Sequence, residues 1–233
     1  MRLGIVCSSG GAVFEAAYQI MRSYSYVFNI AVVTDRECGA ENICAKLGIP
    51  FIRFEDADRE VFSFKAAQWL YDKHKVDLTV LFFSRLVGAE LYSRAPCINI
   101  HPSLLPAFPG FGALKAALNS GVKFFGATAH FVDHSTDGGP ILAQVVAPLR
   151  YEEKLVDMER ISFAQKLYLL LLICEWEEAR KLVSTGNPER SKRYFTDTIY
   201  ANPQLRNAEL EDAFLQFVDI QGIPWPKQTL PLM

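Results

Sequence analysis

Apolar and polar positions along the chain switch repeatedly between two periods. Continuous apolar runs at Leu3 to Cys7, Phe28 to Thr34 and Leu78 to Phe83 have the length of strands covered on both faces. Helical patterns lie between them. Gly10-Gly11 opens a helix running to about Ser23, and Gly39 to Leu47 is a short helix closed by Gly48-Ile49-Pro50. Asp58 to Lys75 carries Val61, Phe64, Ala67, Trp69 and Leu70 at a spacing that predicts an amphipathic helix. With a further strand at Cys97 to His101, the alternation predicts a Rossmann-like α/β fold: a mostly parallel sheet with helices on both faces. Such sheets bind ligands beyond the carboxyl ends of their strands, so the turn Ser8-Ser9-Gly10-Gly11 and the end of the 97–101 strand should share one rim.

Past His101 the pattern loosens. Leu104 to Gly112 is rich in proline and glycine and reads as a conformationally restricted surface loop. Ala113 to Ser120 is a short helix, and Gly126 to Val132 and Ile141 to Pro148 are strands joined by the polar loop Asp133 to Gly139. Leu155, Met158, Ile161, Ala164 and Tyr168 mark the apolar face of a last long helix. After about Gly186 the composition becomes mixed, with Pro188, Pro203, Pro224 and Pro226. This divides the chain into an α/β domain over 1–186 and a C-terminal extension over 187–233. No internal repeat is visible.

Charge narrows the partners. Twenty-four basic residues stand against 26 acidic ones, a balance that predicts no nucleic-acid partner and no anionic membrane surface. The five cysteines form no CxxC pair, and the start of the chain is broken too early by Ser8-Ser9-Gly10-Gly11 to be a secretory leader, so a reducing cytoplasm is expected. The most apolar stretch, Leu167 to Cys174, has about half the length a bilayer requires and reads as a core helix.

One segment has little structural need of its polar groups. Asn99 and His101 leave the same face of their strand about 7 Å apart, and the strand stops at Pro102. Asp137-Gly138-Gly139-Pro140 follows in the later loop. Taken singly, Asn99 could cap a turn, His101 could be a satisfied core histidine and Asp137 could form an Asx-turn. Together they supply an amide donor, an imidazole and a carboxylate to one rim. His130, Asp133 and His134 do not suggest a metal centre, because spacing of four suits ligands on a helix and this stretch reads as strand and loop. No metal is expected.

The run Asn99-Ile100-His101-Pro102-Ser103-Leu104-Leu105-Pro106 is followed by Phe108-Pro109-Gly110. Further on come Gly126 with Thr128, His130-Phe131-Val132 and Asp137-Gly138-Gly139-Pro140-Ile141. In that order and spacing, residues 3 to 183 resemble the folate-dependent formyltransferases. The resemblance implies the formyltransferase fold and transfer of a formyl group from 10-formyltetrahydrofolate to an amine. It implies direct attack by the amine, with no covalent enzyme intermediate. Asn99, His101 and Asp137 are then the catalytic residues. Asn99 and a protonated His101 would donate to the formyl oxygen as it gains negative charge, and Asp137 would favour the charged imidazole and assist proton transfer. The resemblance also implies folate contacts at Arg85, Leu86 and Val87, in the loop residues Asp133, His134 and Ser135, and at Arg59, which would reach the glutamate tail. Acceptor contacts are implied at Gly10, Gly11, Ala12, Pro102 and Lys166.

Two departures bear on the acceptor. Where members that formylate glycinamide ribonucleotide carry Gly-Ser-Asn in the phosphate-binding turn, this chain reads Gly11-Ala12-Val13. Where they place a Gln and a Glu in the last long helix, it has Phe163 and Lys166. Exchange of a carboxylate for a cation reverses the local field, which favours an acidic or otherwise different small-molecule amine. Glycinamide ribonucleotide, an amino sugar and an amino acid such as hydroxyornithine are the acceptors in view. Hydrolysis of the formyl-folate and a non-catalytic folate or nucleotide sensor are the other readings. A basic tRNA-binding C-terminal domain is missing, which disfavours methionyl-tRNA. The chain starts directly at its first strand, without the extra N-terminal domain of the family's deformylases. The extension is expected to cover the sheet or to build a homodimer contact.

Overall fold

In a computed structural model, residues 2–23, 29–175, 201–202 and 204–226 are described. The strands are β1 (Arg2–Cys7), β2 (Asn29–Thr34), β3 (Phe51–Arg53), β4 (Leu78–Phe82), β5 (Cys97–His101), β6 (Phe124–Phe131), β7 (Ile141–Pro148) and β8 (Ala201–Asn202). They form one sheet in the order β3-β2-β1-β4-β5-β6-β7-β8. The pairings from β3 to β5 are parallel, and those from β5 to β8 are antiparallel. Between β1 and β4 the order of strands reverses direction, which opens a crevice at their carboxyl ends.

The helices are α1 (Ala12–Ser23), α2 (Gly39–Leu47), α3 (Arg59–Ala67), α4 (Ala89–Ser93), α5 (Ala113–Ser120), α6 (Leu155–Glu175) and α7 (Ala208–Ile220). They cover both faces. Leu3, Ile5, Ile30, Val32, Val80, Ile98 and Ile100 pack with α1 and α6, whereas Val6, Ala31, Val33, Leu81 and Cys97 point the other way, toward α3 and α4. Strand parity therefore puts Asn99 and His101 on the face of Cys97.

The expected α/β architecture is present, with local differences. Phe28, the expected start of the second strand, and the proposed domain boundary at residue 186 lie outside the described residues. The helix expected over 58–75 is α-helical to Ala67 and then π-helical from Gln68 to Lys73. Asp58 caps it, accepting from the amides of Glu60 at 2.8 Å and Val61 at 3.0 Å. Its buried face is Phe62, Ala66, Ala67, Trp69 and Leu70, while Val61 and Phe64 are exposed. Ala67, Trp69 and Leu70 are buried as expected, whereas in the first turns Phe62 and Ala66 face inward in place of Val61 and Phe64. Strand β3, helix α4 and strand β8 were not predicted, being too short to display a period.

Helix α6 is buried on every side from Leu167 to Ile173 because the sheet, α1 and α7 surround it. Among the described C-terminal residues, Leu205, Leu210, Phe214, Val218 and Ile223 are buried in the core shared with α6. Tyr168 of α6 stacks with Trp225 and meets Phe214 edge-on, and its hydroxyl accepts from the Leu205 amide at 2.8 Å. No helix among the described residues is long and apolar enough to cross a membrane.

Candidate active site

At the crevice the chain builds a cavity of about 570 Å³. One wall is the turn after β1 with the start of α1, from Ser8 to Phe14. Gly11 takes φ +75° there, and a Cβ would press on the Phe14 ring and the Ala40 backbone, so this turn requires glycine. Strands β4 and β5 supply the floor, and the loops over 110–112 and 133–137 close the far side.

Asn99, His101 and Asp137 meet in this cavity. Asn99 Nδ2 lies 3.1 Å from Asp137 Oδ1 and 3.2 Å from His130 Nε2. His101 Nδ1 is 3.3 Å from Asp137 Oδ2, which also accepts from the Gly110 amide at 2.7 Å. On the other side of the imidazole, Nε2 donates to the Phe108 carbonyl at 2.9 Å. Each ring nitrogen of His101 thus faces an acceptor oxygen. Phe108 has φ +55° and Asp137 φ +53°, uncommon values for residues with side chains, and both belong to this cluster.

Asp137 is held well below the usual carboxylate range, at about 2. Hydrogen bonding from His130 contributes most, burial opposes it, and the Gly110 amide with the positive field of His101 and His130 adds to the lowering. His130 sits almost wholly buried opposite Asn99 in the β5/β6 pairing. Its Nδ1 faces the Phe131 carbonyl at 2.9 Å, and its Nε2 is 3.5 Å from Asp137 Oδ1. Accepting from Asn99 requires that Nε2 carry no proton, whereas donating to Asp137 requires that it carry one. The Phe131 carbonyl takes the Nδ1 proton of the neutral ring, which leaves Nε2 to accept from Asn99.

The remaining residues singled out in the sequence also line the cavity: Gly10, Gly11, Ala12, Arg59, Arg85, Leu86, Val87, Pro102, Asp133, His134, Ser135 and Lys166. Their engagements differ. The Arg85 guanidinium donates to the carbonyls of Asp56 at 3.0 Å and Ala57 at 2.7 Å and pairs with buried Asp35 at 3.4 Å. Arg59 donates to Glu60 at 2.9 Å. Asp133 accepts from the Ser135 amide at 2.8 Å and from its hydroxyl, which folds the loop before Asp137. Lys166 makes no hydrogen bond or ion pair with any described residue.

Several contributors were not apparent from sequence. The Gly110 amide and the Phe108 carbonyl are backbone groups, for which Pro109-Gly110 offered only a turn signal. Thr128 accepts from the Leu105 amide at 3.0 Å and donates to the Ser103 carbonyl at 2.7 Å, anchoring the loop after β5 to β6. Phe82, Phe83, Leu86, Val87 and Val132 give the cavity an apolar slot beside the backbone of the 133–136 loop. A flat heterocycle with polar edges fits such a slot.

Comparison with known proteins adds an independent line. Residues 1–172 match the family model described as Formyl transferase. Phosphoribosylglycinamide formyltransferase from Mycobacterium tuberculosis is 38% identical over 151 residues, covering 62% of this chain and 70% of that protein. The enzyme of that name from Bacillus subtilis is 33% identical, over 68% of this chain and 85% of its own length. Among solved structures, phosphoribosylglycinamide formyltransferase from Bacillus halodurans superposes with a TM-score of 0.70 at 28% identity. That match covers 84% of this chain and 100% of the other.

Proposed function

The chain belongs to the formyl transferase family and is a folate-dependent formyltransferase, and from that premise we propose that Asn99, His101 and Asp137 direct transfer to the amine of a small metabolite. The observation that carries this reading is the convergence of the three side chains, in mutual hydrogen-bond range, on one cavity of ligand size.

When bound, 10-formyltetrahydrofolate supplies the activated formyl carbon. The apolar slot of Phe83, Leu86, Val87 and Val132 would hold its ring, with Asp133, His134 and Ser135 along the ring's edge. Arg85 orders the adjoining 56–57 loop, and Arg59 stands at the mouth for the anionic tail. Asn99 Nδ2 and a His101 ring N–H donate where the formyl oxygen becomes negative. Asp137 orients the imidazole; as the bond from the amine nitrogen to the formyl carbon forms and the bond from that carbon to the folate nitrogen breaks, it helps pass the proton the amine sheds to the departing nitrogen, directly or through water.

The acceptor enters from the side of Gly10, Gly11, Ala12 and Pro102, facing α6. Glycinamide ribonucleotide is a second reading of its identity, favoured by the names of the relatives. Ala12, Val13 and Phe163 offer no side-chain donors or acceptors at that wall, which favours another amine. Five free cysteines support a reducing cytoplasm.

The test is absorbance-monitored consumption of 10-formyltetrahydrofolate by the pure protein with glycinamide ribonucleotide, amino sugars and amino acids, beside a control without amine. Amine-dependent turnover that falls by about a hundredfold or more in His101→Ala is expected. Turnover independent of any amine would replace the reading with hydrolysis, and folate binding without turnover would point to an acceptor outside the amines offered.

A further inference from the structure

The cavity's charged side chains are matched with partners, with one exception. Arg59 pairs with Glu60, Arg85 with Asp35 and two carbonyls, Asp133 with Ser135, and Asp137 with its histidines and Gly110. Lys166 has no such partner among the described residues. It stands half-buried on α6, lining the cavity beside Phe163 and opposite the α1 start. The acidic groups around it offset its charge only in part. From α1 come Ala12, Val13 and Phe14, and Glu15 of that helix pairs with Lys46 at 3.6 Å. Glu159, two turns earlier on α6, is exposed and acts from beyond contact distance. Burial pushes the Lys166 ammonium below the usual lysine range, with Glu159 opposing in part. The N-terminal end of α1 adds a partial charge of the same sign to this wall.

Filling the cavity displaces the water that solvates this ammonium. An uncharged ligand there leaves it desolvated and unpaired, whereas a carboxylate or phosphate compensates it. We propose that Lys166 is a specificity-determining residue that selects amines bearing an anionic group, a carboxylate or a phosphate, on the α6 side of the cavity. The inference rests on the formyl-transfer reading above and narrows its acceptor class.

Matched probes test it on the full chain: glycine against glycinamide, and phosphoethanolamine against ethanolamine. Formyl transfer is followed where it occurs, and otherwise Kd is measured by titration of the folate-loaded protein. The anionic member of at least one pair should be favoured about tenfold or more in kcat/KM or Kd, the size of one charge-assisted hydrogen bond. Which pair responds separates carboxylate from phosphate. Lys166→Met should bring the ratio to about one, and Lys166→Arg should retain most of it. A ratio near one in the unaltered protein overturns the inference, as does an anion preference that survives Lys166→Met. So does a loss of folate affinity in that variant as large as the loss of discrimination. Failure of the unaltered protein to bind 10-formyltetrahydrofolate would instead strike the formyl-transfer reading.

Discussion

His101 Nε2 donates to the Phe108 carbonyl oxygen at 2.9 Å, on the edge of the imidazole opposite the one facing Asp137. An acceptor oxygen thus already occupies one direction in which the histidine can donate. A formyl oxygen drawing on that hydrogen must share it with Phe108 or displace the carbonyl.

Removing the donors should depress turnover without comparable loss of folate binding. We expect His101→Ala and Asn99→Ala each to lower kcat by about 10²–10³, the range for loss of one donor to a developing oxyanion. The double variant should lose less than the product of the two, because both side chains engage Asp137. Steady-state kinetics with folate affinity measured in parallel would check this; strict multiplicativity would show that the two act independently.

Asp137→Asn separates charge from backbone geometry, since asparagine tolerates the positive φ at this position. Asp137 is depressed from an unfolded value near 4 to about 2 in the fold. Its stabilisation is therefore complete above about pH 4 and is lost as pH falls toward 2. The shift corresponds to about 2 kcal/mol at neutral pH. Urea titrations between pH 7 and pH 2 should show that this acid-labile component is missing in Asp137→Asn, with turnover lost at neutral pH.

Away from the cavity, Glu41 ties three elements together. It accepts from Thr34 of β2 at 2.7 Å and from Arg53 of β3 at 2.8 and 2.6 Å. Hydrogen bonding from Arg53 is the main reason its carboxyl stays below the ordinary range. Glu41→Ala should cost about 1–3 kcal/mol, because it strands the buried Thr34 hydroxyl, whereas Arg53 keeps Glu55 at 3.0 Å. A double-mutant cycle with Thr34→Val should recover most of that as coupling.

The C-terminal segment has its own diagnostic. Tyr168→Phe keeps the ring stacked on Trp225 but removes the hydroxyl that accepts from the Leu205 amide. A buried amide left without a partner predicts about 1–2 kcal/mol of destabilisation. Limited proteolysis near residues 205–226 should accelerate, while the kinetics with saturating folate stay unchanged.

The legible parts of this molecule were those written in periods and in ordered words. The buried strands, α1, α2 and α6 announced themselves because each repeats a pattern over several turns or alternations. The placement of Asn99 and His101 on one face followed from their spacing alone. Less visible were features made by main-chain atoms, such as the Gly110 amide and the Phe108 carbonyl, which any residue type could supply. Helix α3 was misphased because Val61 and Phe64 are apolar yet exposed, and a periodicity argument cannot tell an outside phenylalanine from an inside one. The engagement of Arg85 by Asp35 and the 56–57 carbonyls was likewise hidden, since it joins residues about 28 and 50 positions apart.

The pairing of β5 with β6 runs residue for residue from Ile98 opposite Phe131 to His101 opposite Thr128, placing His130 across from Asn99. Side chains on a strand can occupy one face or the other and nothing between. The meeting of Asn99 with His130 is thus fixed by a count of residues, which changes only in whole steps. Insertions at 133–136 would reshape the rim of the cavity and leave this count intact, whereas one extra residue within β6 ahead of His130 would turn its imidazole to the opposite face. Sequence divergence in this hairpin is open at the tip and closed along the stem, so the loop that edges the proposed folate slot can vary without rebuilding the pairing of Asn99 with His130.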